Sequence, residues 1–162
     1  ADGNENAASW QVALNLNAPS AFVLSRQGLD PLAKGEFGEV GNGAYLLSSA
    51  KDAKITFIAS GSEVSLCVKA AALLAEQGIG ANIVSAPCFD LLCEQPAEYV
   101  ARILDKNTTI IAVEAATGYE WYKFADAVYG MNSFGASGKA NELFDHFGFT
   151  PQKLANFASE LI

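Results

Sequence analysis

The most constraining feature of the sequence is a run of alternating elements at residues 55–90, ITFIASGSEVSLCVKAAALLAEQGIGANIVSAPCFD. An apolar stretch leads into a Gly-Ser turn, and residues 62–77 then carry apolar side chains at helical spacing. Gly78 stands where a helix needs a left-handed residue to end. A second apolar stretch follows and ends at Pro87. A strand, a helix and a strand in this order predict two parallel strands joined by a right-handed crossover.

The same alternation continues through the chain. Further strands are predicted at AYLLSSA, TTIIAVE and, weakly, MNSFG, and further helices at PAEYVARILDK, GYEWYKFADAVY and FTPQKLANFASELI. The last helix has Thr150 as N-cap and Pro151 at its first position. We therefore predict an α/β fold: a three-layer sandwich with a mostly parallel, mixed five-stranded sheet. AYLLSSA is placed at an edge, where it can run antiparallel.

The first residues do not form a core by themselves. ENAASWQVALNL predicts a short helix, and SAFVLSRQ at 20–27 predicts a strand buried on both faces. Residues 28–43 are rich in glycine and predict a linker. One helix and one strand need a further partner to pack against, and the chain starts without Met. We therefore expect a fragment of a longer protein.

The composition limits the partners. The net charge of −8 repels nucleic acid and anionic membranes. No stretch has the pattern of a signal peptide, and no apolar run approaches the roughly 18 residues that span a bilayer. The three cysteines match no metal motif, so we expect reduced thiols in a cytoplasmic protein. Charged residues are only 17% of the chain, which suggests extra buried surface at an interface.

The turn Ser60-Gly61-Ser62-Glu63 allows two interpretations. A helix N-terminus presents unpaired N–H groups that bind phosphate. Ser60 and Glu63 also fit a capping box, in which side chains satisfy those donors. A dinucleotide site needs more glycines than the one present, so the capping interpretation is favoured.

Two carboxylates follow predicted strands. Glu114 ends TTIIAVE, and Asp90 follows ANIVSAP, so both belong to the sheet edge where open α/β sheets bind ligands. Together they could bind a metal or do acid–base chemistry, although such groups more often cap helices or bond to loop amides.

Other candidates are weaker. FGASGKAN at 134–141 fails two fixed positions of a P-loop and predicts a surface loop before a short helix. His146 lacks a serine partner and predicts an exposed helix end. The aromatic residues of 119–129 predict packing rather than base stacking, given the negative charge. Arg26 lies at the carboxyl end of the predicted strand SAFVLSRQ, directly after its apolar residues, and could bind a phosphate bidentately or form a structural salt bridge.

Several blocks resemble the transketolase family. APSAFVLSRQGL resembles the end of its pyrimidine-binding domain, and the stretch from GAYLLSSAKDAKITFIASGSEVSL to NIVSAPCFDLL resembles the opening of its C-terminal domain. VEAATGYEWYKF and MNSFGASGKANELFDHFGFTPQKLANFASELI resemble the second half of that domain. The order and spacing of the blocks match as well.

The resemblance implies a division into residues 1–35, the tail of the pyrimidine-binding domain, and residues 36–162, the C-terminal domain. It implies a homodimeric parent enzyme that transfers a two-carbon ketol unit between sugar phosphates in the pentose phosphate pathway. Thiamine diphosphate and a divalent metal (Mg or Ca) would be bound by upstream residues of the parent, not by this chain or its SGSE turn. Arg26 resembles the residue that grips the sugar phosphate.

Two hypotheses follow. In the first, the chain is the carboxyl part of a transketolase, inactive alone and serving packing and dimer contacts with the remainder of that chain. In the second, it is a free-standing ligand-binding or assembly module that uses the strand ends near Glu114 and Asp90.

Overall fold

The structure is a computed structural model that describes residues 1–32 and 37–162, without the side chains of residues 37–39. The expected domain boundary at residue 35 therefore lies outside the described residues, and the predicted linker of residues 28–43 lies partly outside them. The described elements, in chain order, are α1 Gly3–Asn15, a first 3₁₀ helix Phe37–Asn42, β1 Tyr45–Ser48, β2 Ile55–Ala59, α2 Gly61–Glu76, β3 Ala81–Ser85, α3 Phe89–Cys93, α4 Ala97–Ile103, β4 Thr109–Glu114, a second 3₁₀ helix Tyr119–Lys123, β5 Ala127–Gly130, α5 Ala140–Phe147 and α6 Pro151–Ser159.

The sheet confirms the predicted fold class. Its strand order is β1-β3-β2-β4-β5. β1 runs antiparallel to β3 at one edge, as expected, and the other pairs are parallel. Every residue of β2 is buried, because β2 lies at the centre of the sheet. An apolar strand covered on both faces is typical of a parallel sheet.

Helices cover both faces and make three layers. Phe57 and Ile58 are successive residues of β2, so their side chains point to opposite faces. Phe57 packs in a cluster with α2 and α6, which includes Leu74 and Leu154. Ile58 packs in the other cluster, with residues of α3, α4 and the second 3₁₀ helix. A different set of helices therefore packs against each face of the sheet.

The predicted helix ends are confirmed where local chemistry sets them. Gly78, beyond the end of α2, has φ 76°, a conformation that costs glycine little. α6 begins after Thr150, whose side chain accepts a hydrogen bond from the Lys153 N–H, and Pro151 is its first residue. The short helix α3 was not predicted. None of the described helices has the length and apolar character needed to cross a membrane.

The predicted strand at residues 20–27 is wrong. This segment is irregular, and Val23 and Leu24 are 99% and 61% exposed. A strand is stable only when a neighbour satisfies its backbone hydrogen bonds, and no strand of the described chain pairs with these residues.

The predictions for residues 118–135 are also wrong. The expected helix of residues 118–129 is only a 3₁₀ helix, and the final strand is β5 rather than MNSFG. β4 offers an open edge, and Ala127–Gly130 pair with Ile111–Glu114 along it. Asp126 starts this pairing, because its carboxylate accepts from the Ile110 N–H at 2.9 Å. Pairing with β4 therefore prevails over the helix that the spacing of the aromatic residues predicted.

Candidate functional site

The carboxyl ends of β2 and β4 form the point where the strand order reverses. From β2 the chain crosses to β3 on one side, and it then returns to β4 on the other side of β2. Open α/β sheets bind ligands in the crevice at this position. Ser60 directly follows β2 and Glu114 ends β4, and the Ser60 hydroxyl donates to Glu114 Oε2 at 3.1 Å. The sequence placed Glu114 at this edge and Ser60 at the start of the helix, and the structure brings the two side chains together.

The capping box predicted for Ser60 and Glu63 is not formed. Ser60 is the N-cap residue of α2, but its side chain makes no capping hydrogen bond. Glu63 instead accepts from the Ser62 hydroxyl at 2.9 Å. The end of the neighbouring strand supplies a carboxylate that the Ser60 hydroxyl bonds to in preference to the helix. The prediction of the helix start is confirmed, and the predicted capping bonds are wrong.

Two carboxyl groups, the buried Glu63 and the half-buried Glu114, lie at this edge. Burial raises the pKa of Glu63 to about 7, with a further contribution from the Glu114 charge and an opposing one from the Ser62 hydrogen bond. Burial also raises the pKa of Glu114, while the Ser60 hydrogen bond lowers it. An anion bound at the start of α2 would lie beside both carboxyl groups, and their ionised forms would repel it. The arrangement therefore disfavours a phosphate at the SGSE turn.

Asp90 does not join Glu114 in a shared site. It is exposed in the first turn of α3. The carboxylate that acts on Glu63 is Glu114, and the one that acts on Glu114 is Glu120. In the part of the chain that the structure describes, no group of three or more His, Cys, Asp or Glu side chains could hold a metal ion.

Arg26 lies in a bend after the irregular segment of residues 20–25 and is exposed. We find no ion pair or hydrogen bond of its guanidinium within the described residues, so the structural salt bridge is not seen there. Its neighbours Ser25 and Gln27 line a cavity of about 430 Å³. This cavity lies between α1, residues 20–29 and the residues that follow β2 and β3.

A buried polar cluster at one wall of this cavity was not predicted. Glu5 of α1 is 3% exposed, and its Oε2 accepts from the Tyr45 hydroxyl at 2.9 Å and from the Ser85 hydroxyl. Asp2 caps α1 by accepting from the N–H groups of Asn4 and Glu5. The sequence signal was ADGNE, an acidic N-cap with a glutamate three residues later. Such a glutamate is usually solvated, and only the fold shows that it is buried.

The remaining candidate residues lie at an exposed helix end or in packed parts of the fold. His146 is exposed in the last turn of α5, as predicted. Trp121 is buried and packs edge-on against Phe89. Residues 135–136, Met131 and the aromatic face of α5 line an apolar pocket of about 170 Å³. None of these groups brings together the side chains that a catalytic centre needs.

Comparison with known proteins gives consistent results for sequence and structure. Residues 43–150 match the family model described as the transketolase-like TK C-terminal domain. The chain is similar to transketolase 1 of Saccharomyces cerevisiae, with 41% identity over all of this chain and 24% of that protein. It is also similar to the transketolase of Cereibacter sphaeroides, with 40% identity over all of this chain and 25% of that protein.

Solved structures give the same result. The crystal structure of transketolase from Campylobacter jejuni matches with a TM-score of 0.89 and 52% identity, covering 94% of this chain and 24% of that one. A Pichia stipitis transketolase in complex with sedoheptulose-7-phosphate matches with a TM-score of 0.93 and 38% identity, over 99% of this chain and 24% of that one. The chain thus spans about a quarter of the length of the relatives it matches.

Proposed function

The chain belongs to the transketolase family, and from that premise we propose that it is the carboxyl part of a transketolase. In this proposal the parent enzyme transfers a two-carbon ketol unit between sugar phosphates in the pentose phosphate pathway. The observation that carries the proposal is the match of the whole chain to one quarter of full-length transketolases, in both sequence and fold. The complex of the Pichia stipitis relative with sedoheptulose-7-phosphate supports the substrate class.

The proposal assigns the chemistry to the rest of the parent chain. Thiamine diphosphate and a divalent metal, Mg or Ca, would be bound there, and this chain would serve packing and homodimer contacts. The described residues contain no cluster suited to a metal, and their carboxyl edge is acidic rather than adapted to a diphosphate. We place the parent in the cytoplasm because the cysteines of this chain match no metal motif and are expected to be reduced. The net charge of −8 disfavours nucleic acid and anionic membranes as partners of this chain.

The proposal also divides the chain at residue 35. Residues 1–35 would be the tail of the pyrimidine-binding domain and residues 36–162 the C-terminal domain. The exposed apolar side chains of the first part, among them Leu14, Val23 and Leu24, support this division, because they need cover that the described residues do not provide. Arg26 would contact the phosphate of the sugar. Its exposure supports this role, since a guanidinium that meets a ligand must be accessible.

Enzyme activity tests the proposal. The purified 162-residue chain is mixed with thiamine diphosphate, Mg²⁺, xylulose 5-phosphate and ribose 5-phosphate, beside the full-length parent protein. We expect sedoheptulose phosphate from the parent and none from the chain. Ketol transfer by the chain alone would refute the assigned role, and an inactive parent would refute the proposed function.

A free-standing ligand-binding module is not favoured. It would use the strand ends near Glu114 and Asp90, but Asp90 is exposed and does not act on Glu114. The whole chain is similar to one segment of larger enzymes, which also argues against an independent module.

A further inference from the structure

We propose that Glu5 is a positioning residue, whose buried carboxylate fixes residues 1–32, and with them Arg26, against the carboxyl edge of the sheet. The attachment stands on the geometry of this chain alone. Its consequence for sugar phosphate binding rests on the function proposed above for Arg26.

Glu5 is the buried residue of α1. Its Oε2 accepts hydrogen bonds from Tyr45 at the start of β1 and from Ser85 at the end of β3, and its Oε1 lies against the backbone nitrogen of Ala1. Both hydroxyl-bearing residues are at most 1% exposed. A carboxylate removed from water is stable only when donors replace its hydration. Glu5 obtains two of those donors from strands of the sheet rather than from its own segment.

α1 is therefore attached to the sheet through hydrogen bonds, which fix its position and orientation. Trp10 stacks on Phe22 of the same segment and Leu14 is 80% exposed, so neither apolar side chain ties the helix to the sheet. Hydrogen bonds to a buried carboxylate require fixed distances and angles. Burial and the Glu5 charge both raise the pKa of Tyr45, which keeps the phenol a donor across the physiological range. α1 is thus held in one position by polar contacts.

The first turn of α1 also binds the other end of the segment formed by residues 1–32. Asp2 accepts from the N–H groups of Asn4 and Glu5 with one oxygen and from the Leu32 N–H with the other, at 3.0 Å. Residues 2 and 32 are therefore joined beside Glu5. Arg26 lies on the loop between them.

The loop with Arg26 also approaches the start of α2. A methyl group added at Gly61 would lie 3.6 Å from the Ser25 hydroxyl oxygen. The residue before Arg26 therefore lies over the turn that follows β2. Moving α1 away from Tyr45 and Ser85 would move this loop as well.

Hydrogen exchange tests the attachment in the 162-residue chain. Glu5→Ala removes the carboxylate that accepts from the Tyr45 and Ser85 hydroxyls, so we expect amides of α1 and of residues 28–32 to exchange about tenfold faster. Amides of β2 and β4 should keep their protection. Glu5→Gln retains an acceptor oxygen and should restore part of the protection. Glu98→Gln, an exposed first-turn glutamate of α4, is the matched control and should change nothing. Unchanged exchange in Glu5→Ala would overturn the proposal.

Kinetics in the full-length parent protein test the consequence for Arg26. Glu5→Ala should raise KM for a phosphorylated acceptor aldose about tenfold, with a smaller change for the unphosphorylated aldose and in kcat. A general structural defect would instead change both acceptors equally. Equal changes, or none, would overturn the positioning of Arg26 even if exchange is faster. An unmutated parent without ketol transfer would overturn the proposed function itself, and the exchange result would still decide the attachment.

Discussion

Ser60 occupies the N-cap of α2, and its hydroxyl donates to a carboxylate 54 positions along the chain. The sequence was sufficient to place Ser60 at the helix start, because that signal is local. It could not show that Glu114 would reach the same hydroxyl, since this depends on β4 lying beside β2. Glu5 was missed for the same reason, because its partners lie 40 and 80 residues away.

The raised pKa of Glu63 predicts a pH dependence of stability. The folded-state pKa of about 7 lies above the reference value of 4.5, so the folded state holds this proton more tightly than the unfolded state. The contribution of Glu63 is therefore fully present below about pH 4.5 and is lost as pH rises through about 7. The loss amounts to at most about 3 kcal/mol.

Urea unfolding of the unmutated chain and Glu63→Gln across pH 4.5 to 8 measures this effect. Glutamine at position 63 does not ionise, so the variant should gain stability relative to the unmutated chain as pH rises. The exposed Glu98→Gln change should follow the unmutated chain at every pH. Parallel curves for Glu63→Gln and the unmutated chain would show that Glu63 titrates normally.

Arg26 has a direct functional prediction at the same scale. If its guanidinium grips the phosphate with two charge-assisted hydrogen bonds, Arg26→Gln in the full-length parent should raise KM for sugar phosphates roughly 10- to 100-fold. Arg102→Gln serves as the control, because Arg102 is an exposed arginine of α4 that does not line the cavity next to Arg26. Steady-state kinetics with equal KM values for Arg26→Gln and the unmutated parent would remove Arg26 from the site.

At the scale of elements, the strands and helices with strong local signals were predictable. β2 and β3 are short, mostly apolar runs separated by a helix with clear ends, and β1 was placed correctly at an edge. The predictions for residues 20–27 and 118–135 failed because each of these sequence patterns is compatible with two structures. The outcome then depends on whether a neighbouring strand offers a free edge for pairing, and a local sequence pattern does not contain that information.

The junction between β1 and α3 depends on Gly43. Its φ is 85°, and a Cβ there would lie against Leu92 N and Cys88 O, closer than real Cβ contacts. The Cys88 N–H also donates to the Gly43 carbonyl at 3.0 Å. The backbone of α3 cannot move away without breaking this contact.

Gly43→Ala should therefore destabilise the chain by about 3 kcal/mol or more, through strain and steric overlap together. Gly135→Ala is the matched control, because Gly135 has an ordinary φ and a methyl group added there would meet no atom within 4 Å, and it should change stability by less than about 0.5 kcal/mol. Thermal and urea unfolding of both variants give the comparison. Similar stabilities would mean that α3 is not held against β1 as described.

At the scale of the whole molecule, the exposed apolar surface of residues 10–24 predicts self-association. Trp10 stacks on Phe22 with ring centroids 4.4 Å apart, yet Trp10 remains 49% exposed and Val23 99%. Isolated domains bury such surface against one another in a concentration-dependent way. Sedimentation of the 162-residue chain should show oligomers that Val23→Ser with Leu24→Ser reduces. A monomer at all concentrations would mean that this surface needs no cover.

The central claim is that this chain is the carboxyl part of a transketolase, and the size of the native protein tests it most directly. An antibody raised against the chain is used to probe an immunoblot of the source cells. We predict one band at about four times the 17.0 kDa mass of the chain, because the chain spans about a quarter of its relatives. A band at 17 kDa alone would contradict the claim and identify a separate protein with a transketolase C-terminal fold.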